Sequence, residues 1–362
     1  MYNEGTSVPP ASPSLMAQTG GGYAADCGGY GMPVTRLEHK EVDPMKIALL
    51  EPLGVPRDLI DALARPILEA GHEFIFYDTK TTDPEELKRR SQGCEVVMIA
   101  NNPFPGEVVE ACPELRLLNV AFTGIDHVGL DACRRHGITV CNAANYSNQT
   151  VAELVIGMTI SLLRRLPECG AAVRSGGTSA GLCGREIAGR TVGIVGTGRI
   201  GTMVARLFQA FGARVIASSR THREEVEALG VDYLPLEALM AQSDIVTIHT
   251  PNTSATRGLI GRDQIALMKP SALLINCARG PIVDSAALAD ALNEGRIAGA
   301  AVDVFNVEPP IPDTEPLLHA KNTLLTPHVA FLSEEAMVRR AQIAFDNTCA
   351  YLRGECRNVC RL

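Results

Sequence analysis

The sequence predicts an α/β protein built as two doubly wound parallel sheets. Strand-length apolar runs alternate with amphipathic helical segments through two successive rounds, and a glycine fingerprint opens the second. The chain's 362 residues also fit two domains with a remainder, at roughly 150 residues per domain. That remainder sits at the front. Residues 1–45 hold seven Gly and five Pro, a proportion at which chains fail to pack a core, and a disordered tail is expected. Glu4, Asp26 and the absence of Arg before Arg36 disfavour a transit peptide. Met45 is the expected natural start, because it opens an apolar run at once.

In the first round, strands are expected at 46–50, 73–77, 95–100, 116–122 and 138–141, with helices at 56–69, 84–92, 106–112 and 126–136. Short connections between such elements make a parallel sheet covered on both faces. A long helix is expected over 148–166, where Val151, Leu154, Val155, Met158 and Leu162 recur at helical spacing. Residues 170–189 are Gly-rich and read as a loop or hinge. Alternation resumes with strands at 191–195, 214–218, 244–249, 272–276, 298–304 and 323–326, and helices at 200–211, 236–242, 262–268 and 285–295. The last helix, 333–353, has no strand after it and is expected to pack back on the first domain. The expected division is a tail over 1–45, a first domain of 46–148 with 331–362, and a second of 149–330.

Composition removes several classes of function. Thirty-three Lys and Arg against 41 Asp and Glu leave a net charge of −8. The basic residues are scattered, so neither a nucleic-acid footprint nor an affinity for anionic bilayers is expected. No apolar run approaches the ~18 residues of a membrane span. Eleven cysteines form an odd set without a C-x-x-C pair, which argues against a disulfide framework and against a structural zinc site. Reduced thiols, a cytoplasmic location and no bound metal are expected.

The fingerprint runs from Thr191 to Gly201 and places Gly196, Gly198 and Gly201 in G-x-G-x-x-G spacing, after an apolar strand and at the start of a helix. Gly196 permits the tight turn, Gly198 lets backbone approach a pyrophosphate, and Gly201 lets the helix lie close on the strand. Exposed N–H groups at the helix start, around Arg199 and Ile200, suit the anion. A dinucleotide cofactor is therefore expected. About 20 positions on, a cofactor without a 2′-phosphate usually meets a carboxylate. Here the second strand ends in Ser219-Arg220-Thr221-His222-Arg223. No carboxylate repels a phosphate, Ser219, Arg220 and Thr221 suit one, and NADP is expected over NAD.

Three strand ends in the second domain carry polar residues where such a sheet binds ligands. They are Asn276-Cys277-Ala278-Arg279-Gly280, Asp303-Val304-Phe305-Asn306-Val307-Glu308-Pro309 and Thr326-Pro327-His328. At these residues, and from about residue 46 to the end, the chain resembles the D-isomer-specific 2-hydroxyacid dehydrogenase family. The resemblance implies a flavodoxin-like substrate domain and a Rossmann-like cofactor domain around a cleft. It assigns Arg279 to the substrate carboxylate, His328 to the carbonyl and Glu308 to His328. The chemistry agrees: a guanidinium fork matches a carboxylate, and hydride arriving at a carbonyl carbon requires a proton donor at the oxygen. A carboxylate beside the imidazole fixes the ring and favours its protonated form. The resemblance also places Asp303 near the nicotinamide carboxamide, Thr123 and Gly124 at the substrate carboxylate, and Thr250, Pro251, Cys277 and Ala278 along the cofactor. His249 reads as structural, and Cys277 as a small buried side chain, since hydride transfer needs no thiol.

The substrate is expected to be a small 2-oxo acid or D-2-hydroxy acid: glyoxylate, hydroxypyruvate, pyruvate and branched oxo acids remain open. Phe331, after the His, resembles the D-lactate dehydrogenase branch, as does Tyr146 within Asn145-Tyr146-Ser147. A Phe there narrows the cleft or gives it an apolar wall. The loop 100–105 has no Arg or Lys to meet a phosphate, which disfavours the phosphoglycerate branch, and Glu308 disfavours the formate-oxidising branch, which uses Gln. The competing reading of another class is a nucleotide-sensing scaffold of the corepressor type. Helix 149–166 supports either that or, preferably, the homodimer of an enzyme.

Overall fold

The computed structural model describes residues 43–308 and 310–362. The expected tail lies almost wholly outside the described residues. The first round of elements is β1 (Lys46–Leu49), α1 (Arg57–Glu69), β2 (Glu73–Phe76), α2 (Pro84–Ser91), β3 (Val96–Ile99), α3 (Gly106–Glu110), β4 (Leu117–Val120), α4 (Leu130–Arg135) and β5 (Thr139–Asn142). The second is α5 (Asn148–Leu163), α6 (Leu166–Arg174), β6 (Thr191–Val195), α7 (Arg199–Ala210), β7 (Arg214–Ser218), α8 (Glu224–Glu227), β8 (Asp232–Tyr233), α9 (Leu236–Gln242), β9 (Ile245–Ile248), α10 (Arg262–Ala266), β10 (Leu273–Asn276), α11 (Ser285–Asn293), β11 (Gly299–Val302), β12 (Thr323–Leu325) and α12 (Glu334–Leu352).

The strands form a five-stranded sheet, β2-β1-β3-β4-β5, and a seven-stranded one, β12-β11-β10-β9-β6-β7-β8. Every pairing within them is parallel. Both faces of each sheet are packed. Along β3, Val97 and Ile99 join one core while Val96 and Met98 join the other, which is the period-two consequence of the pleat. Near-continuous apolar runs in the sequence therefore mark strands buried on both sides. Strand order reverses between β1 and β3 in the first sheet and between β6 and β9 in the second. Such switch points open the crevices in which α/β sheets bind ligands.

Helix α12 returns to the first sheet. Asn119, buried in β4, donates through Nδ2 to the Ala344 carbonyl at 2.6 Å and to Thr348 Oγ1 at 2.9 Å. Ser333 caps the helix by accepting from the Ala336 N–H at 3.2 Å. Beyond it, Cys360 N–H donates to the Val140 carbonyl and Asn142 N–H to that of Asn358. The C-terminal segment thus covers the β5 edge, which would otherwise be an open pairing surface.

Two expected helices fall furthest short of the bounds that the sequence suggests. The helix expected over 148–166 ends at Leu163, and Arg165 turns the chain in a left-handed conformation (φ 53°). Pro167 is the cause, since in a continued helix it would have no N–H for the Leu163 carbonyl and its ring would clash there, whereas it is tolerated in the first turn of a new helix. That new helix, α6, occupies part of the stretch read as a loop. The expected helix over 126–136 begins only at Leu130, because Gly129 packs against the backbone of Gly106. The apolar seam of α5, including Val151, Val155 and Met158, is spent on a core shared with α7, β10 and β11.

Candidate active site

Arg279 sits just beyond β10 in a turn clamped by a buried asparagine. Asn276 donates through Nδ2 to the Arg279 carbonyl at 3.1 Å and accepts from the Ala278 N–H at 3.0 Å. The guanidinium donates through Nη1 to the Ala278 carbonyl at 2.8 Å and through Nε to Asp126 Oδ2 at 3.4 Å, reaching across to the first sheet's loops. Its Nη2 lies over Gly124, where a Cβ would overlap it. Gly124→Ala is therefore expected to displace Arg279 and raise the substrate KM at least tenfold, with the melting temperature little changed because the loop is at the surface. Steady-state kinetics beside a thermal melt checks this; an unchanged KM would mean that the guanidinium lies elsewhere.

His328 follows β12 and is built differently. Its backbone is left-handed (φ 56°), a strained conformation for a non-glycine residue. Asp303, fully buried after β11, holds it there. The Asp303 carbonyl accepts the His328 N–H at 2.8 Å, and its carboxylate accepts from the N–H groups of Val329 and Ala330, each at 2.8 Å, and from Thr326 Oγ1. Burial raises the Asp303 pKa, and the three donors to its carboxylate oppose that rise. The Asp303 carboxylate is thus taken up by the histidine loop, behind the residues that line the cleft. His328 Nδ1 faces Glu308 Oε2 at 2.8 Å. That contact fixes the ring and leaves Nε2 for a reacting oxygen.

The two sheets' loops enclose a cleft of ≈ 380 Å³. It gathers Thr123, Gly124, Tyr146, Arg279, His328 and Phe331 with the expected cofactor residues Ile200, Thr250, Pro251, Cys277 and Ala278. Phe122, Tyr146 and Phe331 form an aromatic wall beside the histidine. The Phe331 ring stands edge-on to Phe122 at 5.1 Å and to His328 at 5.5 Å. Asp126, Asn252 and Phe122 were not singled out by sequence reading, although each lies within two residues of one that was. Asp126 is the carboxylate of the 121–126 turn, and Asn252 directly follows Pro251.

The residues present fit a dinucleotide. Gly196 is left-handed (φ 96°) with the His249 carbonyl close by, and Gly201 lies against the Gly196 carbonyl, so neither has room for a Cβ. Gly198 faces open space at the helix start. On the opposite wall, Thr250 Oγ1 and Asn252 Oδ1 are buried in the cleft without a partner. Orphaned polar atoms at such a position call for a polar ligand. Arg199 opens α7, while Ser219, Arg220 and Thr221 follow β7 and lie outside the central cleft. Nearby, His222 approaches Glu227 at 3.6 Å and Arg223 approaches Glu225 at 3.4 Å, and neither pair involves Arg220. Cys277 packs its thiol against Met158 Sδ at 3.6 Å, and burial pushes its pKa well up, so it stays protonated.

His249 is neutral. Burial pushes its pKa down to about 3, and Nε2 bonds Thr247 Oγ1 at 2.9 Å. The unfolded chain binds a proton there below pH about 6.5 that the folded chain refuses. Stability is therefore lost as pH falls from about 6.5 toward 3, at up to about 1.4 kcal/mol per unit. His249→Gln should flatten that part of a plot of unfolding free energy against pH, and an unchanged slope would place the acid sensitivity elsewhere.

Comparisons with known proteins identify the family. Residues 156–330 match the sequence model described as D-isomer specific 2-hydroxyacid dehydrogenase, NAD binding domain. The chain is 39% identical to the glyoxylate reductase of Korarchaeum cryptofilum, over 78% of this chain and 86% of the relative. It is 38% identical to the glycerate dehydrogenase of Methylorubrum extorquens, over 84% and 96%. Among solved structures, D-lactate dehydrogenase from Aquifex aeolicus, complexed with NAD and lactic acid, aligns over 85% of this chain and 96% of its own, with 27% identity and a TM-score of 0.74. The chain belongs to the D-isomer specific 2-hydroxyacid dehydrogenase family and is an NAD(P)-dependent oxidoreductase.

Proposed function

We propose that the chain reduces small 2-oxo acids to D-2-hydroxy acids, with NADPH preferred over NADH and His328 as the general acid. The observation that carries this reading is the presentation of His328, backed by Glu308, in one cleft with Arg279. A bound nicotinamide dinucleotide supplies the hydride in reduction and takes it up in the reverse direction. The α7 N-terminus with Gly198 would hold its pyrophosphate, and Thr250 and Asn252 would meet its polar groups across the cleft. Arg279 grips the substrate carboxylate, with Thr123 and Gly124 beneath it, and so orients the 2-oxo carbon. His328 gives its Nε2 proton to the carbonyl oxygen as charge develops there. Running backward, neutral His328 takes the hydroxyl proton. In this reading residues 46–148 with 331–362 form the substrate unit, and 149–330 the cofactor unit.

The aromatic wall selects the side chain. Glyoxylate, hydroxypyruvate and pyruvate fit beside Phe122, Tyr146 and Phe331, whereas a bulky oxo acid meets Phe331. A panel of 2-oxo acids run with both cofactors is expected to give the highest kcat/KM for the small acids and for NADPH. Phe331→Ala should shift preference toward branched oxo acids by roughly 10-fold or more, the scale of a hydrophobic-pocket change. NADPH bound but oxidised by none of the panel would overturn the enzyme reading. The corepressor-type scaffold is not favoured, since the relatives reported above are named as enzymes. Two phosphoglycerate dehydrogenase relatives exceed this chain in length, which covers 52% and 58% of them. No residue of the loop 100–105 lines the cleft.

We further propose a cytoplasmic homodimer that binds neither nucleic acid nor membrane. No described helix is long and apolar enough to cross a bilayer. The dimer would use the exposed side of α5 together with α6, whose Leu166 and Val173 are 51% and 76% exposed. Light scattering of the wild type and of Val173→Glu tests the assembly.

A further inference from the structure

Tyr233 ends the two-residue strand β8, the outermost strand of the second sheet, and no part of the fingerprint points to it. Its hydroxyl donates to Thr197 Oγ1 at 2.9 Å and accepts from the Arg223 N–H at 3.2 Å. Thr197 is the residue between Gly196 and Gly198, and it is 1% exposed. Its own hydroxyl lies 3.5 Å from the Thr221 carbonyl, toward which it donates. The chain of donors thus leaves the 219–223 loop at Arg223, passes through Tyr233 to the glycine turn, and returns to the loop at Thr221. The ring completes the brace: His222 stacks on it at 4.0 Å with planes 9° apart.

We propose that Tyr233 is a positioning residue that sets the distance between the phosphate-binding turn and the 219–223 loop, and thereby fixes the preference for a 2′-phosphorylated cofactor. The proposal rests on the NADPH preference stated above and names the device behind it. A 2′-phosphate carries close to two negative charges and is held by charge-assisted hydrogen bonds that demand fixed donors. Ser219 is half-buried, while Arg220, Thr221, His222 and Arg223 are all exposed. Such a loop loses its donors' geometry unless something holds the backbone. Tyr233 supplies that hold at both ends of the triplet 221–223. NADH presents no phosphate to this loop, so loosening it should leave NADH binding nearly unchanged.

The test is direct binding, read from the fluorescence of NADPH and NADH and, without a nicotinamide, from calorimetric titration of adenosine 2′,5′-bisphosphate. Tyr233→Phe keeps the ring, its packing and the stack on His222, and removes only the hydroxyl. It leaves the Arg223 N–H exposed to water, so the fold should survive, and a thermal melt checks that. The expected result is a rise in Kd of roughly tenfold for NADPH and for the bisphosphate, the scale of one net hydrogen bond, with less than a twofold change for NADH. Tyr233→Ala, which also removes the stack, should enlarge the NADPH loss. If the wild type prefers NADPH and Tyr233→Phe keeps the same ratio, the role of Tyr233 is overturned while the cofactor reading stands. If all three ligands weaken equally, Tyr233 serves the glycine turn alone and the selectivity claim falls. If the wild type binds NADPH and NADH equally, the cofactor reading falls and takes this proposal with it.

Discussion

His328→Ala should bind NADPH as the wild type does and lose kcat by roughly 10²- to 10⁴-fold, the usual worth of a positioned general acid. In the function proposed above the cofactor is held by the glycine turn, the 219–223 loop and the Thr250 wall, none of which includes His328. The loss should therefore appear in kcat, with NADPH affinity from fluorescence titration kept within a factor of two. Glu308→Gln separates orientation from charge. Its amide still reaches Nδ1, at 2.8 Å in the native pair, but carries no charge to stabilise the imidazolium, so kcat should fall less than in His328→Ala. Asp303→Asn acts one step further back. The amide offers a donor where the buried carboxylate accepts from Val329, Ala330 and Thr326, so the loop carrying His328 loses its left-handed turn. Near-full turnover in His328→Ala would end the general-acid assignment.

The fold was legible in the sequence, and so was the gathering of Arg279 and His328 at one cleft with Glu308 behind the histidine, because each is encoded locally. Two rounds of buried strands read as apolar runs, and Arg279, Glu308 and His328 each follow a strand whose end was visible. What escaped reading depends on long-range geometry. Nothing in the order D-V-F-x-x-E-P says that three donors from residues 326–330 converge on the Asp303 carboxylate. Tyr233 sits in a strand too short for any apolar pattern, and its partners Thr197 and Arg223 are 36 and 10 positions away. The break at Arg165 was legible in principle. Pro167 announced it, but the apolar spacing of 151–162 outweighed one proline.

Arg279→Ala should instead spare much of kcat at saturation and raise KM by 10²-fold or more. Two charge-assisted hydrogen bonds to the substrate carboxylate are lost, each worth about 1.5–3 kcal/mol, and every 1.4 kcal/mol is tenfold in affinity. The Asp126 contact makes the loss larger than the missing fork alone. In the free cleft Arg279 Nε faces Asp126 Oδ2 at 3.4 Å, so the guanidinium neutralises a carboxylate that lines the same cavity. Removing Arg279 exposes the substrate to that charge, and two like charges disfavour each other. The double variant Arg279→Ala with Asp126→Asn should therefore have a lower KM than Arg279→Ala alone. Arg279→Lys restores the charge but not the planar two-donor geometry, and should recover part of KM without reaching the wild type. These terms separate by salt dependence. The repulsion from Asp126, which is half exposed, weakens as ionic strength rises, so the gap between the single and double variants should narrow in 0.5 M salt. A gap that stayed constant with salt would mean that Asp126 acts on the substrate through the shape of its loop and not through its charge.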